Sequence, residues 1–116
     1  MAYVYVLLCK GNTLYTGIAA DVKKRISAHI NKSGAKYTKS HSAIKLEALW
    51  ETERLSDAAR LEYRIKRLEK KKKLELVKSP QCVMDFFPEL SNIAFEAKEC
   101  RETAEINRIL FGTERE

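Results

Sequence analysis

A hairpin pattern near the start of the chain constrains the fold more than any other feature. Residues 3–9 are apolar and rich in β-forming side chains, and residues 13–19 form a second run of this kind. Gly11 and Asn12, which lie between the two runs, tolerate the positive φ angles that tight turns need. The pattern therefore predicts two antiparallel strands joined by a short loop.

The length of this loop decides which side chains share a face of the sheet. A two-residue loop would place Tyr5 and Tyr15 on opposite faces, because side chains alternate along a strand. A three-residue loop, Lys10–Asn12, would pair Tyr5 with Gly17 and place both phenols on one face. Both registers are open at this point. A site that uses both phenols requires the second register, in which Gly17 would leave space for a substrate above the sheet.

A helix is expected directly after the hairpin. Asp21 is a suitable N-cap residue, and the helix should run to about Asn31. Its apolar stripe consists of Val22, Ile26 and Ile30. Arg25 and His29 lie one turn apart on the flank of this stripe, so we expect them near the face that packs on the sheet rather than in open solvent.

A third strand and a second helix follow a polar loop over residues 32–42. Residues 44–52 alternate between apolar and polar side chains, which predicts a strand with one buried face formed by Ile44, Leu46, Ala48 and Trp50. Ser56 or Asp57 would then cap a helix whose core stripe is Ala58, Leu61, Ile65 and Leu68. Glu62 flanks that stripe.

The remainder of the chain predicts a lysine-rich turn and two further helical stretches. The run Lys70–Lys73 should lead into a short helix that ends near Ser79-Pro80. Residues 81–88 resemble a connector, and a last helix is expected from Ser91 to Phe111.

Length and charge limit the class of protein. A chain of 116 residues argues for one domain. Residues 1–80 carry 18 Lys and Arg against 8 Asp and Glu, whereas residues 81–116 carry 4 against 8. A basic body of this kind suits an anionic polymer such as nucleic acid, although an ordinary basic protein without such a partner has the same composition.

The three cysteines are widely spaced and form no CxxC pair. This spacing argues against a zinc site or a disulfide framework and favours a reducing, cytoplasmic location. The first residues lack the pattern of a secretory signal, and no apolar run has the length of a membrane span, so no membrane association is expected.

Several side chains together offer the chemistry of phosphodiester hydrolysis, which needs an activated water, a donor for the phosphate charge and stabilisation of the leaving oxygen. Glu62 could hold Mg²⁺, Arg25 could bind phosphate, and a phenol or His29 could orient or deprotonate the water. Each residue also has a simpler explanation. Glu62, for example, could form an ordinary ion pair with Lys66 one turn later.

The positions of these residues resemble the GIY-YIG nuclease superfamily, in particular its small stand-alone bacterial members. Two three-residue motifs, GIY and YIG, give this superfamily its name. Tyr3-Val4-Tyr5 occupies the position of the first motif, although it begins with Tyr rather than Gly, and Tyr15-Thr16-Gly17 occupies the position of the second. The resemblance covers residues 3 to about 79. It implies an α/β (α+β) fold with a three-stranded antiparallel sheet flanked by helices. We therefore expect a nuclease-like domain over residues 1–80, with a connector and an extra C-terminal helix over residues 81–116.

The resemblance also implies roles for individual residues. Tyr5 and Tyr15 would be the two site phenols, Gly17 the close-approach glycine and Arg25 the phosphate ligand. His29 would handle a proton, and Glu62 would be the ligand of Mg²⁺ (or Mn²⁺). A polar amide residue that larger relatives carry after the glutamate helix has no counterpart that we can place.

Two functions follow from these expectations. The first is a metal-dependent endonuclease that acts on DNA rather than RNA, is selective for substrate structure and serves in repair or recombination. The second is a non-catalytic nucleic-acid-binding module on the same scaffold. In both cases the expected backbone contacts are Lys36, Tyr37, Lys39, Lys66, Lys70 and Lys71. A protein partner or self-association would use residues 89–116.

Overall fold

The structure is a computed structural model of the 116-residue chain, and it describes residues 1–31, 43–90, 93, 95–97 and 100–111. Its strands are β1 (Ala2–Cys9), β2 (Thr13–Ala19), β3 (Ala43–Thr52) and β4 (Phe95–Ala97). Its α-helices are α1 (Val22–Asn31), α2 (Leu55–Lys66), α3 (Lys70–Lys78), α4 (Val83–Phe86) and α5 (Cys100–Phe111). Two 3-10 turns, Pro80–Cys82 and Pro88–Leu90, flank α4.

The three long strands form the expected antiparallel sheet, which β4 extends at one edge to give the order β2-β1-β3-β4. In the hairpin, Cys9 pairs with Thr13 and Tyr5 with Gly17, which is the register of the three-residue loop. Asn12 has a φ angle of 61°, and Gly11 has one of 82°. The turn residues therefore adopt the left-handed conformations that this loop requires, and both phenols share one face.

Helices cover both faces of the sheet. The α1 face carries Tyr5, Leu7 and Cys9, which pack with residues of α1 and α5 such as Ile26 and Ile106. The α2 face carries the alternate residues of β1, which pack with Trp50 and with helix α2. The predicted stripe of α2 is confirmed at Ala58, Leu61 and Ile65, all of which are buried, and Leu68 packs beside them.

Helix α1 begins where the sequence predicts. The Asp21 carboxylate accepts a hydrogen bond of 3.1 Å from the Lys24 N–H, which is the contact of an N-cap side chain. Helix α2, in contrast, begins earlier than predicted. Its N-cap is Arg54, which makes no side-chain capping bond, and Asp57 lies inside the first turn. The Asp57 carboxylate is buried and pairs with the Arg54 guanidinium at 3.4 Å.

The predicted alternation along β3 is wrong for its first half. Val6 pairs with Ala48, but the next residue of β1, Leu7, pairs with Leu46, so Glu47 forms a bulge. A bulge reverses the alternation of side chains along a strand. As a result Leu46 packs on the α1 face, while Ala48 packs on the α2 face.

The start of β3 contains a second irregularity. The pairing with β1 shifts again between Leu8 and Cys9, which leaves Ile44 without a partner in the ladder. Ile44 was expected in the buried face of the strand, but it is 46% exposed.

The C-terminal segment differs from the single helix predicted from Ser91. Phe95–Ala97 forms β4, which pairs antiparallel with the end of β3, and the helix among the described residues of this segment is Cys100–Phe111. The connector also contributes apolar side chains to the core. Phe87, Leu90 and Ile93 are buried on the α2 face with the residues of β1 and α2.

An amide side chain fastens α5 to the sheet. Asn107 Oδ1 accepts a hydrogen bond of 2.7 Å from the Leu46 N–H, and Asn107 Nδ2 donates one of 3.0 Å to the Leu46 carbonyl. Leu46 lies beside the bulge and outside the span of β3 that β4 covers. The amide therefore replaces a neighbouring strand at this point of the sheet edge.

Over the residues that the structure describes, no helix is both long and apolar enough to cross a membrane.

Candidate active site

The candidate site is organised around the phenol of Tyr5, which lies across Gly17 of the neighbouring strand. A Cβ atom added at position 17 would stand 2.5 Å from the Tyr5 hydroxyl oxygen, closer than side-chain carbons normally approach. Tyr5 is 0% exposed. The space above Gly17 was expected to accommodate a substrate, but the Tyr5 ring occupies it. The glycine therefore allows the ring of Tyr5 to lie flat over the edge strand.

The second phenol lies beside the first. The ring centroids of Tyr5 and Tyr15 are 6.3 Å apart, and the ring planes are inclined by 42°. This separation is within the range at which aromatic rings interact. The hairpin register thus brings together the two phenols that the sequence singled out.

Helix α1 brings Arg25 to the same place. Val22 and Ile26 are buried against the α1 face of the sheet, which fixes the orientation of the helix. The Arg25 guanidinium lies near enough to the Tyr5 hydroxyl to lower the pKa of this phenol. The rest of this side chain is exposed, so the arginine joins the phenol to the surface where a phosphate would arrive.

The protonation state of Tyr5 follows from its surroundings. Burial raises the pKa of this phenol well above its ordinary value, and Tyr15 and Glu62 act in the same direction, against the lowering effect of Arg25. A phenol could serve as a base only if cations lowered its pKa, and here the net shift is upward. Tyr5 is therefore a neutral hydroxyl that can donate or accept a hydrogen bond.

Glu62 approaches from the other side of the sheet. It lies on α2, which packs against β1 and the edge strand β2. Because no described strand lies beyond β2 in the sheet, a side chain of α2 can reach around this edge. The charge of Glu62 acts on the Tyr5 phenol and contributes to its raised pKa.

The Glu62 carboxylate also forms the ion pair that its sequence context suggested. Lys66 Nζ lies 3.1 Å from Glu62 Oε2, and the Glu62 side chain is 21% exposed. The ion pair with Lys66 and the proposed binding of a metal ion therefore involve the same Glu62 side chain. The carboxylate is held in place by a lysine and remains partly open to solvent.

The donor set fits a hard divalent cation better than zinc. No group of three or more His, Cys, Asp and Glu side chains converges in the part of the chain that is described. Zinc sites use three or four such ligands, whereas Mg²⁺ retains several waters and accepts one or two carboxylates together with substrate phosphates. Glu62 is the carboxylate that could hold such an ion here.

The residues that were predicted to contact the nucleic acid lie in different parts of the molecule. Lys66 lies at the site through its pair with Glu62. Lys70 donates a hydrogen bond to the Asn12 carbonyl and so links α3 to the hairpin loop, a contact between distant segments that no sequence pattern indicates. Lys71 is exposed. The remaining predicted residues, namely the His29 side chain, Lys36, Tyr37 and Lys39, lie outside the described parts of the molecule.

Sequence reasoning passed over an exposed pair on α2. The Arg67 guanidinium carbon lies 5.2 Å from the centroid of the Tyr63 ring, close enough for a cation–π contact. The signal for this pair was present, since an aromatic residue and an arginine four positions apart lie next to each other on a helix.

Comparisons with known proteins point to a single family. A family model described as the GIY-YIG catalytic domain matches residues 1–75. The UPF0213 protein FN1575 of Fusobacterium nucleatum is 38% identical over 91 residues, which cover 78% of this chain and 88% of that protein. The UPF0213 protein BH0048 of Halalkalibacterium halodurans is 43% identical over 75 residues, which cover 65% of this chain and 80% of that protein.

A solved structure is also similar. The solution NMR structure of the UPF0213 protein BH0048 from Bacillus halodurans shares 42% identity and superposes with a TM-score of 0.45, covering 67% of this chain and 84% of that one. The match to the family model over residues 1–75 and the two UPF0213 relatives lead to one conclusion: the chain belongs to the GIY-YIG catalytic domain family, a family of nucleases.

Proposed function

We propose that this protein is a metal-dependent endonuclease that hydrolyses phosphodiester bonds in DNA and selects its substrate by structure, as in repair or recombination. The observation that carries the proposal is the arrangement around the Tyr5 phenol: the centroid of the Tyr15 ring lies 6.3 Å from that of Tyr5, and the charges of Arg25 and Glu62 act on the phenol. The alternative is a binding module without catalysis, which the Lys66 ammonium paired with Glu62 would favour.

Each side chain has a defined task in this proposal. Arg25 presents a planar, permanently charged donor fork to the scissile phosphate and offsets the negative charge that develops in the transition state. Because the guanidinium lies beside Tyr5 on a helix that packs on the sheet, the fork is positioned before the substrate arrives. Preorganisation of this kind makes an electrostatic contact more effective in catalysis.

Tyr5 serves as a neutral hydrogen-bonding group in this mechanism. In this proposal its hydroxyl, kept protonated by burial, is the group that hydrogen-bonds the attacking water or a phosphate oxygen and holds it in line. The upward shift of its pKa removes it as the group that takes the proton from water. The proton acceptor is then another group at the site, for which His29 is our candidate on sequence grounds.

Glu62 would hold Mg²⁺ (or Mn²⁺), and a divalent cation supplies Lewis-acid stabilisation of phosphate oxygens. Lys66 orients the carboxylate through the ion pair at 3.1 Å. On binding of the cation and substrate, the Lys66 ammonium is free to turn to a neighbouring phosphate. Lys36, Lys39, Lys70 and Lys71, together with the aromatic Tyr37, complete the proposed contacts with the nucleic acid.

The proposed catalytic unit is residues 1–80, with residues 81–116 as a connector and a C-terminal helix. Cys9 and Cys82 are both free thiols, which supports action in a reducing compartment such as the cytoplasm. A protein partner of the acidic C-terminal segment belongs to the same proposal.

The test compares Glu62→Gln with Glu75→Gln. Glu75 is a matched control because it also pairs with a lysine, Lys72, at 3.7 Å, but lies on α3 with a side chain that is 48% exposed. Both variants and the wild-type chain are incubated with linear, nicked, branched and single-stranded DNA and RNA, in the presence of Mg²⁺, Mn²⁺ or chelator.

We expect the wild-type chain to cleave only with a divalent cation. Glu62→Gln should lose at least about a hundredfold in rate, the size of effect seen when one group that stabilises transition-state charge is removed. Glu75→Gln should cleave as the wild type does. Equal cleavage by wild type and Glu62→Gln would reject the metal site, and binding without any cleavage would favour the alternative module.

A further inference from the structure

Helix α2 carries a second arrangement of side chains that the candidate active site does not use. Its inner stripe is buried and Glu62 lies on its flank, whereas Arg60, Tyr63 and Arg64 lie on its outer face, which the C-cap residue Arg67 continues. We refer to these four residues as the outer face of α2. Tyr63 is 57% exposed, an unusual position for a large aromatic side chain unless the ring has a partner.

The Tyr63 ring has a neighbour on one side and space on the other. Arg67, one turn further along α2, lies with its guanidinium carbon 5.2 Å from the ring centroid. One turn earlier is Ala59, whose methyl group is too short to cover the ring. A surface cavity of about 250 Å³ lies there, lined by Ala59, Arg60, Tyr63 and Arg64. The cavity is therefore bounded by an aromatic ring and two arginines.

The charge of this face is positive and mostly uncompensated. Arg64 pairs with Glu89 at 3.3 Å, and both side chains are nearly half exposed. Arg60 makes no ion pair with any described residue, and Arg67 contacts the Tyr63 ring rather than a carboxylate. Arginine guanidinium groups beside an exposed aromatic ring are the combination by which proteins hold the phosphates and bases of single strands.

The outer face lies next to the candidate active site. Tyr63 directly follows Glu62, and Lys66 lies between the two surfaces around the helix. From Ala59 to Arg67 the helix rises about 12 Å, so a strand of a few nucleotides can follow the helix while its phosphate reaches Glu62. Bases within a duplex are already stacked on their neighbours, so only an unpaired base can place its face on an aromatic ring.

We infer that the outer face of α2 binds an unpaired segment of the nucleic acid beside the scissile phosphate, with a base stacked on Tyr63 in the cavity beside Ala59 and with phosphates held by Arg60 and Arg67. This inference rests on the proposed function and adds the substrate class. The preferred substrates would be nucleic acids with single-stranded nucleotides next to the cut, such as flaps, gaps or splayed arms.

The first test measures binding by the full chain to a fluorescent single-stranded oligodeoxynucleotide, an oligoribonucleotide of the same sequence and a blunt duplex of the same length. Tyr63→Leu removes the aromatic face while keeping an apolar side chain of similar size, and Tyr63→Phe keeps the face and removes only the hydroxyl. Position 63 is exposed, so both variants should retain the fold, and circular dichroism checks this.

We expect Tyr63→Leu to weaken single-strand binding by about 5- to 150-fold, which corresponds to the measured range for one base stacked on an aromatic side chain. Tyr63→Phe should bind as the wild type does, and duplex binding should be unchanged in both variants. Stacking alone would bind the DNA and RNA oligonucleotides equally well. A difference between the two affinities would therefore show a contact that distinguishes DNA from RNA.

The arginine contact has its own control. Arg67→Gln should weaken single-strand binding and reduce the slope of log K against log salt by about 0.7, the value for one phosphate contact with a single strand. Arg108→Gln removes the same group from α5, where Arg108 lies 3.8 Å from Glu105, and should leave the slope unchanged.

Single-strand affinity of Tyr63→Leu equal to that of the wild type would overturn the inference and leave the proposed nuclease intact, because the latter is judged by the Glu62-dependent cleavage. Duplex binding that falls as much as single-strand binding would overturn the inference too. A wild-type chain that neither binds nor cleaves any nucleic acid would overturn both.

Discussion

The substitution Gly17→Ala is expected to inactivate the proposed enzyme through a single methyl group. The added Cβ would stand 2.5 Å from the Tyr5 hydroxyl oxygen and 2.6 Å from the ring carbon that carries it, whereas ordinary contacts begin at 3.4 Å. The hydroxyl must therefore move by about 0.9 Å, the difference between the first and last of these distances. Tyr5 is 0% exposed, so its ring can move only by displacing its neighbours.

Two consequences of this movement can be measured. A displacement of about 1 Å at a catalytic group can reduce the rate by about a hundredfold, and we expect a loss of this size in divalent-metal-dependent cleavage. The strain of an overpacked site should also lower the free energy of unfolding by about 1–3 kcal/mol, measured by urea denaturation. A cleavage assay at a temperature where the variant is fully folded separates the two effects.

Gly11→Ala provides the matched control within the same hairpin. An added Cβ at Gly11 meets no atom within 4 Å, but the φ angle of 82° is unfavourable for alanine. This variant should lose about 1–2 kcal/mol of stability and retain its rate of cleavage. If Gly17→Ala cleaves within about threefold of the wild type while Gly11→Ala does the same, the placement of the Tyr5 phenol does not control the chemistry and our reasoning is refuted.

Three further predictions concern stability. The free energy of unfolding should fall as pH rises above about 10, because Tyr5 ionises there in the unfolded chain while its raised pKa keeps it protonated in the folded chain. Tyr5→Phe should lack this component of the pH dependence. If urea titrations show the same pH dependence for both proteins, the burial argument is contradicted. Thr16→Val should stabilise the fold by about 1 kcal/mol in thermal or urea denaturation, because the buried Thr16 hydroxyl has no hydrogen-bond partner among the described residues; destabilisation would reveal a hidden partner. Asn107→Leu should destabilise by about 2–4 kcal/mol, because it leaves the N–H and the carbonyl of Leu46 unpaired; a loss below about 0.5 kcal/mol would show that α5 is held by its apolar contacts alone.

The parts of the fold that local chemistry controls were predictable from the sequence. The hairpin register depended on whether Asn12 could end a three-residue loop in the left-handed conformation, and it does so with a φ angle of 61°. Asp21 caps α1 because its carboxylate reaches the N–H three residues later. These outcomes require only residues that are close together in the chain.

The errors arose where distant segments decide the structure. The bulge at Glu47 follows from the pairing of β3 with β1, and the apolar spacing of β3 alone fits a regular strand equally well. Phe95–Ala97 fits a helical pattern too, but the edge of β3 offers unpaired backbone groups and β4 satisfies them. Long-range pairing of this kind overrides local preference.

The candidate site also has a part that the sequence predicted and a part that depends on contacts between distant segments. Alternation along the strands left two registers open, of which one places Tyr5 and Tyr15 on the same face, and helical spacing predicted Arg25 near the sheet. The structure has that register and brings the three side chains together. The position of Glu62 beside the edge strand could not be derived from spacing, since α2 packs on the opposite face. The upward pKa shift of Tyr5 depends on its burial, which the sequence does not state.

The indole of Trp50 gives the molecule a natural optical probe. Trp50 is the single tryptophan of the chain, is 0% exposed, and donates a hydrogen bond of 2.8 Å from Nε1 to the Pro80 carbonyl. Phe87, Leu90 and Ile93 belong to the same buried cluster, although all three follow the segment that the family model matches. The fluorescence of Trp50 will therefore report, without any added label, when Phe87, Leu90 and Ile93 have packed on the sheet.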